Sequence, residues 1–233
     1  MAQKSPPEDE VLAPLLAEAG AHETPRQRLT ELSHHDAPEV RAAAAANPRL
    51  LTNVLTRLSK DEDKRVRAAV AMNSVTRAEV IEELSFDEDW TVRAATARNP
   101  STADYSLGEL IRDDDVRVRI DAAASRGLSR KDLERVSKDD DARVRAAAAA
   151  NPGASEDALS RLSEDSEWQI RAGVAGNPAA AMVLLRTLAT DEDWRVRQAV
   201  AGNVSTPSEV LAALALDGDE GVRTAARRDA AAP

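Results

Sequence analysis

Residues 191–203 read DEDWRVRQAVAGN. The stretch describes a short helix with both ends marked. Asp193 stands where a side chain can cap the first turn, and Asn203 closes the other end. Between them Val196, Ala199 and Val200 fall at i, i+3 and i+4, one apolar stripe on a helix. The residue that opens the stripe recurs as Val40, Val66, Val92, Val118, Val144, Ile170, Val196 and Val222, always at an interval of 26 residues. An arginine follows each one: Arg41, Arg67, Arg93, Arg119, Arg145, Arg171, Arg197 and Arg223. A fixed period of this length, kept without insertion, is the signature of stacked supersecondary units.

A second periodic pair precedes each stripe. Leu32, Leu58, Leu84, Leu110, Val136, Leu162, Leu188 and Leu214 stand eight residues before it, and a further apolar residue stands three before each of those. That spacing predicts a second short helix of α or 3₁₀ geometry. Thr24-Pro25 and Thr206-Pro207 suggest its start, a capping hydroxyl followed by proline at the first helical position. The fold expected is therefore all-α, a solenoid of about eight two-helix repeats.

Composition agrees with this reading. Aromatic residues are 2% of the chain, so Ala, Leu and Val must fill the core. Five residues after the stripe opens, seven units carry Ala45, Ala71, Ala97, Ala123, Ala149, Ala175 and Ala201, small enough for close helix approach. The eighth carries Arg227, as suits a last repeat. With 31 Lys and Arg against 41 Asp and Glu the net charge is −10, which argues against a phosphate backbone as partner. The absence of cysteine excludes disulfides, thiolate nucleophiles and cysteine-held clusters. No signal peptide or membrane-spanning run is legible, and a cytoplasmic, monomeric protein is the expectation.

Along the chain, residues 1–9 read as a disordered tail rich in Pro and charge, and residues 229–233 as a second tail. Residues 10–228 read as one helical-repeat domain. Within it, residues 10–23 form an N-terminal cap in which Pro14 replaces the stripe residue, and the repeats begin at 24. The fourth unit departs from the pattern at Asp121, Ser125 and Arg126.

Several side-chain sets invite a chemical reading. The inter-helix loop carries an Asp-x-Asp pair in most units, such as Asp61 and Asp63 or Asp191 and Asp193, while Asp165 pairs with Glu167. Paired acids suit calcium, but these loops mostly lack a turn glycine, and the second acid sits at a helix N-terminus four residues before the Arg. The reading is structural: an acid at the cap, and an Asp–Arg ladder joining successive repeats. Asn47, Asn73, Asn99, Asn151, Asn177 and Asn203 end six units, where an inward amide can bond the neighbouring coil. His34, His35 and Asp36 read as a solvent-facing loop, with no further metal ligand. Trp90, Trp168 and Trp194 share one repeat position, on the helix face turned from the stripe and three residues before the ladder Arg. Each is close enough to that Arg for a cation–π contact, and the three are the candidate partner-binding residues, Trp168 and Trp194 as the anchor and Trp90 extending it. No catalytic set and no cofactor site stands out.

The unit N-P-x-x-x-x-x-x-L-x-x-L-x-x-D-x-D-x-x-V-R-x-x-x-A, seen from Asn47 to Ala71 and from Asn177 to Ala201, resembles the leucine-rich repeat variant family. Its Asp-x-x-Val-Arg portion is also similar to HEAT repeats. The resemblance implies a right-handed superhelix of alternating α- and 3₁₀-helices. It also implies a non-catalytic scaffold for a protein partner. The alternatives are a HEAT-like enzyme acting on nucleic acid, similar to DNA glycosylases, and a chromophore-lyase-like module. The iron–sulfur module of some relatives needs cysteine, which this chain lacks.

Overall fold

The structure is a computed structural model and describes residues 8–229. The expected tails lie outside these residues, except that Glu8, Asp9 and Asp229 are helical. Contacts divide the chain into two compact units, residues 1–118 and 119–233.

The first unit holds α1 (Glu8–Gly20), α2 (Arg26–Leu32), α3 (Pro38–Ala46), α4 (Thr52–Leu58), α5 (Lys64–Met72), α6 (Ala78–Leu84), α7 (Trp90–Arg98) and α8 (Asp104–Leu110). Helix α9 (Val116–Ala124) contains the division. The second unit continues with α10 (Arg130–Val136), α11 (Ala142–Ala150), α12 (Glu156–Leu162), α13 (Trp168–Gly176), α14 (Met182–Leu188), α15 (Trp194–Ala201), α16 (Ser208–Leu214) and α17 (Glu220–Asp229). Among the described residues there is no strand, and the fold is an all-α stack of helical repeats.

The long helices have fixed ends. Asp63, Asp89, Asp141 and Asp193 are N-caps whose carboxylates accept the backbone N–H two residues on. At the other end Asn47, Asn99, Asn151 and Asn177 precede proline, which drives them out of the helical region; Asn47 has φ −73° and ψ 123°. Nine residues fit between both signals in α7 and α11, and the same length holds in α5, where Ser74 follows Asn73, and in α13, where Glu167 stands at the cap.

The short helices are α over seven residues, where the resemblance implied 3₁₀. Their first turns do carry a three-residue closure, as in Val54 N–H to Leu51 C=O, but four-residue bonds follow, as in Ser59 to Leu55. Serine supports the last turn: Ser33, Ser59, Ser85, Ser137 and Ser163 each donate their hydroxyl to the carbonyl three residues back. The expected threonine caps are absent. Pro25 and Pro207 hold the cap positions, while buried Thr24, Thr76, Thr102 and Thr206 donate backwards to carbonyls of the preceding long helix. Those carbonyls lie in the last turn and take an N–H three residues on, as Val70 takes that of Asn73; the buried hydroxyl fills the second acceptor site of each.

Within each unit the core is made of small and branched side chains. Leu29, Leu55, Val66, Val70 and Val92 belong to one buried cluster in the first unit. Helix α1 covers α3 through Leu12, Leu15 and Leu16, which pack on buried Val40 and Ala44. In the second unit Leu133, Leu159, Val174, Leu185 and Val196 are solvent-free. All seven stripe alanines, Ala45 to Ala201, are 0% exposed. Helices α11 and α13 approach so closely that a Cβ on Gly173 would lie 3.2 Å from the Ala149 Cβ.

Because each repeat is bonded mainly to its neighbours, removing residues 151–176 should leave a protein that still melts cooperatively, within about 10 °C of the parent. Arg145 would then face Asp191 in the register it now has with Asp165. Removing residues 151–163 takes out α12 alone and should abolish the cooperative melt. Similar calorimetric transitions for the two deletions would refute a 26-residue structural unit.

Candidate interaction surface

The two acids of each loop have separate tasks. The first is the ladder acid. Asp61 accepts the backbone N–H of Asp63 through Oδ1, which shapes the loop, and takes the Arg41 guanidinium bidentately, Nε to Oδ2 and Nη2 to Oδ1, both at 2.8 Å. Arg41 Nη1 also donates to the carbonyls of His35 and Asp36 in its own loop. The arrangement repeats as Arg67–Asp87 and Arg93–Asp113 in the first unit. In the second it repeats as Arg119–Asp139, Arg145–Asp165, Arg171–Asp191 and Arg197–Asp217. Each arginine thus clamps its own loop and the loop of the next repeat. Arg223, the last, donates to the carbonyls of Asp217 and Gly218 and has no carboxylate partner among the described residues.

The second acid does not pair with the ladder Arg four residues on, as the spacing suggested. Asp63, Asp115 and Asp141 instead take the arginine two residues on, Arg65, Arg117 and Arg143. The ladder guanidinium is turned the other way, toward the next loop. Burial would raise Asp61, but the Arg41 hydrogen bonds and the Asp63 N–H hold it below the usual carboxylate range. Hydrogen bonds from Arg65 lower Asp63 to about 2, and those from Arg117 and Arg143 lower Asp115 and Asp141 to about 2.

A second ladder runs through the asparagines. Asn73 Nδ2 donates to the carbonyls of Ala45 and Asn47, and Asn99 to those of Ala71 and Asn73. Asn151, Asn177 and Asn203 do the same in the second unit. In the fourth repeat Ser125 replaces the Asn, Asp121 is half-buried on α9, and Arg126 is exposed. His35 stands at the ladder-Asp position of the first repeat, and its Nδ1 accepts the Ala37 N–H as Asp61 accepts that of Asp63. It is half-buried, where a solvent-facing loop was expected. Among the described residues no group of three metal-ligating side chains occurs.

The tryptophans lie outside both ladders. Trp90 is half-buried at the start of α7, Trp168 half-buried at the start of α13, and Trp194 is 38% exposed at the start of α15. Their cations are not the ladder arginines three residues on, whose forks face carboxylates. They are the arginines that follow the Trp position, one repeat later for Trp90 and Trp168 and in the same repeat for Trp194. Arg117 lies over Trp90, its Cζ 3.3 Å from the ring centroid. Arg195 lies 4.6 Å from Trp168 and 4.8 Å from Trp194, so one guanidinium joins the two rings. A repeat-to-repeat comparison of position 195 with 117 and 143 would have found this cation in the sequence.

The family model described as "Leucine rich repeat variant" matches residues 142–167 and 194–219, and the resemblance to that family is shown. A solved structure described as a leucine-rich repeat variant with a novel repetitive protein structural motif is 28% identical, with a TM-score of 0.61 over 87% of this chain and 80% of that one. The X-ray structure of YibA of E. coli shares the fold at 16% identity and a TM-score of 0.52, with both chains covered in full. No curated protein matches the sequence. No helix among the described residues is long and apolar enough to cross a membrane.

Replacing Arg145 by Ala leaves the carboxylate of Asp165, whose side chain is 10% exposed, without its fork. The expected cost is about 1–3 kcal/mol in urea melts. Arg143→Ala, at a side chain 64% exposed, should cost less than about 0.5 kcal/mol. Equal costs would show that the ladder adds nothing beyond surface pairing. The lowered carboxylates also set an acid limit. Their folded pKa values lie below the unfolded value of about 3.9, so their contribution is complete above it and is lost as pH falls toward about 2. The melting temperature should be level from pH 7 to pH 5 and drop below pH 4. Asp141→Asn should flatten that drop, and an unchanged drop would remove the cap carboxylates as its source.

Proposed function

We propose that this protein of leucine-rich repeat variant units is a non-catalytic scaffold that holds a protein partner at the N-terminal ends of its long helices. The observation that carries the reading is the pair of tryptophans on adjacent repeats, Trp168 and Trp194, gathered on one arginine at the surface of the second unit. Tryptophan is enriched at binding hot spots, where a large rigid ring buries much area for little lost freedom. Neither ring serves a ladder, and the same repeat position is filled by Lys64, Ala142 and Glu220 elsewhere, so the fold does not require Trp there. Trp90, with Arg117, offers a similar contact in the first unit.

The rival enzyme reading finds less support. The repeating acids are engaged by arginine and backbone N–H groups, and the ladder arginines present their forks to carboxylates rather than to an anionic strand. A nucleic-acid-acting enzyme also calls for a basic face, and the net charge is −10. The partner is accordingly a protein, met by a monomeric scaffold in the cytoplasm.

The test is affinity capture with the full chain and with a Trp168→Ala, Trp194→Ala double variant. The double variant should lose the recovered partner at least tenfold, about 1.4 kcal/mol, while its melting temperature moves by no more than a few degrees. Unchanged capture would overturn the assignment of this face. A duplex DNA retarded at low salt by the parent chain would favour the enzyme reading.

A further inference from the structure

The surface around Trp168 and Trp194 carries information about the charge of what it binds. In the first unit and at α11 the arginine after the Trp position forks onto the cap acid of its own helix. Arg117 meets Asp115 at 2.9 and 2.6 Å, and Arg143 meets Asp141 at 3.0 and 2.8 Å. Arg195 has given up that fork. Only its Nη1 reaches Asp193, at 3.4 and 3.2 Å, and its guanidinium carbon stands at nearly equal distance from both indole rings. The two rings therefore form a seat for a cation, and the chain's own Arg195 occupies it.

The acids beside this seat are poorly compensated. Glu167 precedes Trp168 and caps α13 with no side-chain hydrogen bond. Glu192 has a side chain 90% exposed, and its ion-pair contact to Arg171 is 3.6 Å long. Glu220 takes the Trp position in the following repeat and is exposed. A guanidinium or ammonium arriving here would find two aromatic faces, with Glu167 and Glu192 within two residues of the rings in sequence and Glu220 at the Trp position of the next repeat, against one resident cation that sits on a long, exposed contact. An acidic or neutral segment would find repulsion or no gain.

We infer that the Trp168–Trp194 seat with Glu167, Glu192 and Glu220 is a docking site for a basic peptide segment, an Arg or Lys side chain of the partner stacking on the indoles beside or in place of Arg195. The inference rests on the scaffold reading and names the chemistry of its partner.

The test uses the full chain and fluorescein-labelled twelve-residue peptides of alternating Arg and Ser, Gln and Ser, or Glu and Ser, read by anisotropy and by indole emission. The Arg–Ser peptide should bind and shift the indole emission, and the other two should not. Trp168→Ala with Trp194→Ala should weaken binding at least tenfold, and the Gln triple variant at 167, 192 and 220 about three- to fivefold. Arg195→Gln, which empties the seat, should leave binding intact or tighten it. The control is Glu62→Gln with Glu88→Gln in the first unit, which removes surface charge far along the sequence. Should it weaken binding as much as the triple variant, the attraction is a general one between a polycation and an acidic protein, and the inference is overturned. If the Ala variant melts early, the triple variant still decides, because it keeps both rings. A partner captured through this face with no response to the Arg–Ser peptide would sink the basic-segment inference alone. Peptide binding with no captured partner would sink the scaffold reading alone.

Discussion

A guanidinium carries five N–H donors in one plane, and the ladder arginines use four of them without leaving the backbone's immediate neighbourhood. Arg67 shows the pattern: Nε and Nη2 hold Asp87 of the next repeat, while Nη1 holds the carbonyls of Asp61 and Glu62 behind it. A lysine has the charge but not the fork, and could satisfy only one side of this clamp. Burying the pair has a desolvation cost. It is offset because four of the five donors are used and the carboxylate takes a further N–H from its own loop, Asp89 N–H to Asp87. The clamp ties three segments with one side chain, and that sets the spacing of everything else in the repeat.

Given that spacing, the rest of the unit has little choice. The loop presents an acid to the previous repeat and a second acid to its own helix start, so Asp-x-Asp recurs from Asp61 to Asp219, with Glu167 as the one substitute for the second acid and the first loop, at His35, without the pair. Where the helix that follows ends in asparagine, the amide reaches back to two carbonyls of the preceding repeat, and at Asn47, Asn99, Asn151 and Asn177 a proline after it prevents overrun. Between them the alanines are wholly buried, and at Ala149 a Cβ added to Gly173 of the next long helix would already stand at 3.2 Å. Small residues in the core and polar clamps at the edges are two sides of one constraint: neighbouring long helices lie close.

This is why the fold was legible in the sequence and the surface was less so. Positions that touch the next repeat recur at 26 residues, and recurrence exposes their role without any alignment. The fork direction was misread because Asp63 and Asp61 are both within reach of an arginine in one dimension, and only the turn of the helix shows that Arg67 faces forward to Asp87. Thr24 and Thr206 were misread for a similar reason. A Thr-Pro pair looks like a helix start, while its hydroxyl serves the helix before. His35 illustrates substitution of function by shape, an imidazole nitrogen standing in for a carboxylate oxygen that has no arginine to meet.

The tryptophan position is different in kind. It varies among Pro38, Lys64, Trp90, Val116, Ala142, Trp168, Trp194 and Glu220, so periodicity says nothing of it except that the fold tolerates all of these. The arginine that meets the rings, Arg195, belongs to a position that also holds Glu39, Thr91, Gln169 and Gly221. Two adjacent variable positions per repeat thus lie on the surface beside a fixed clamp. Changes there alter what the helix ends display while the ladder beneath keeps its bonds. A binding face can then be composed repeat by repeat, and the site is expected where variable positions depart together, as they do at Trp168, Trp194 and Arg195.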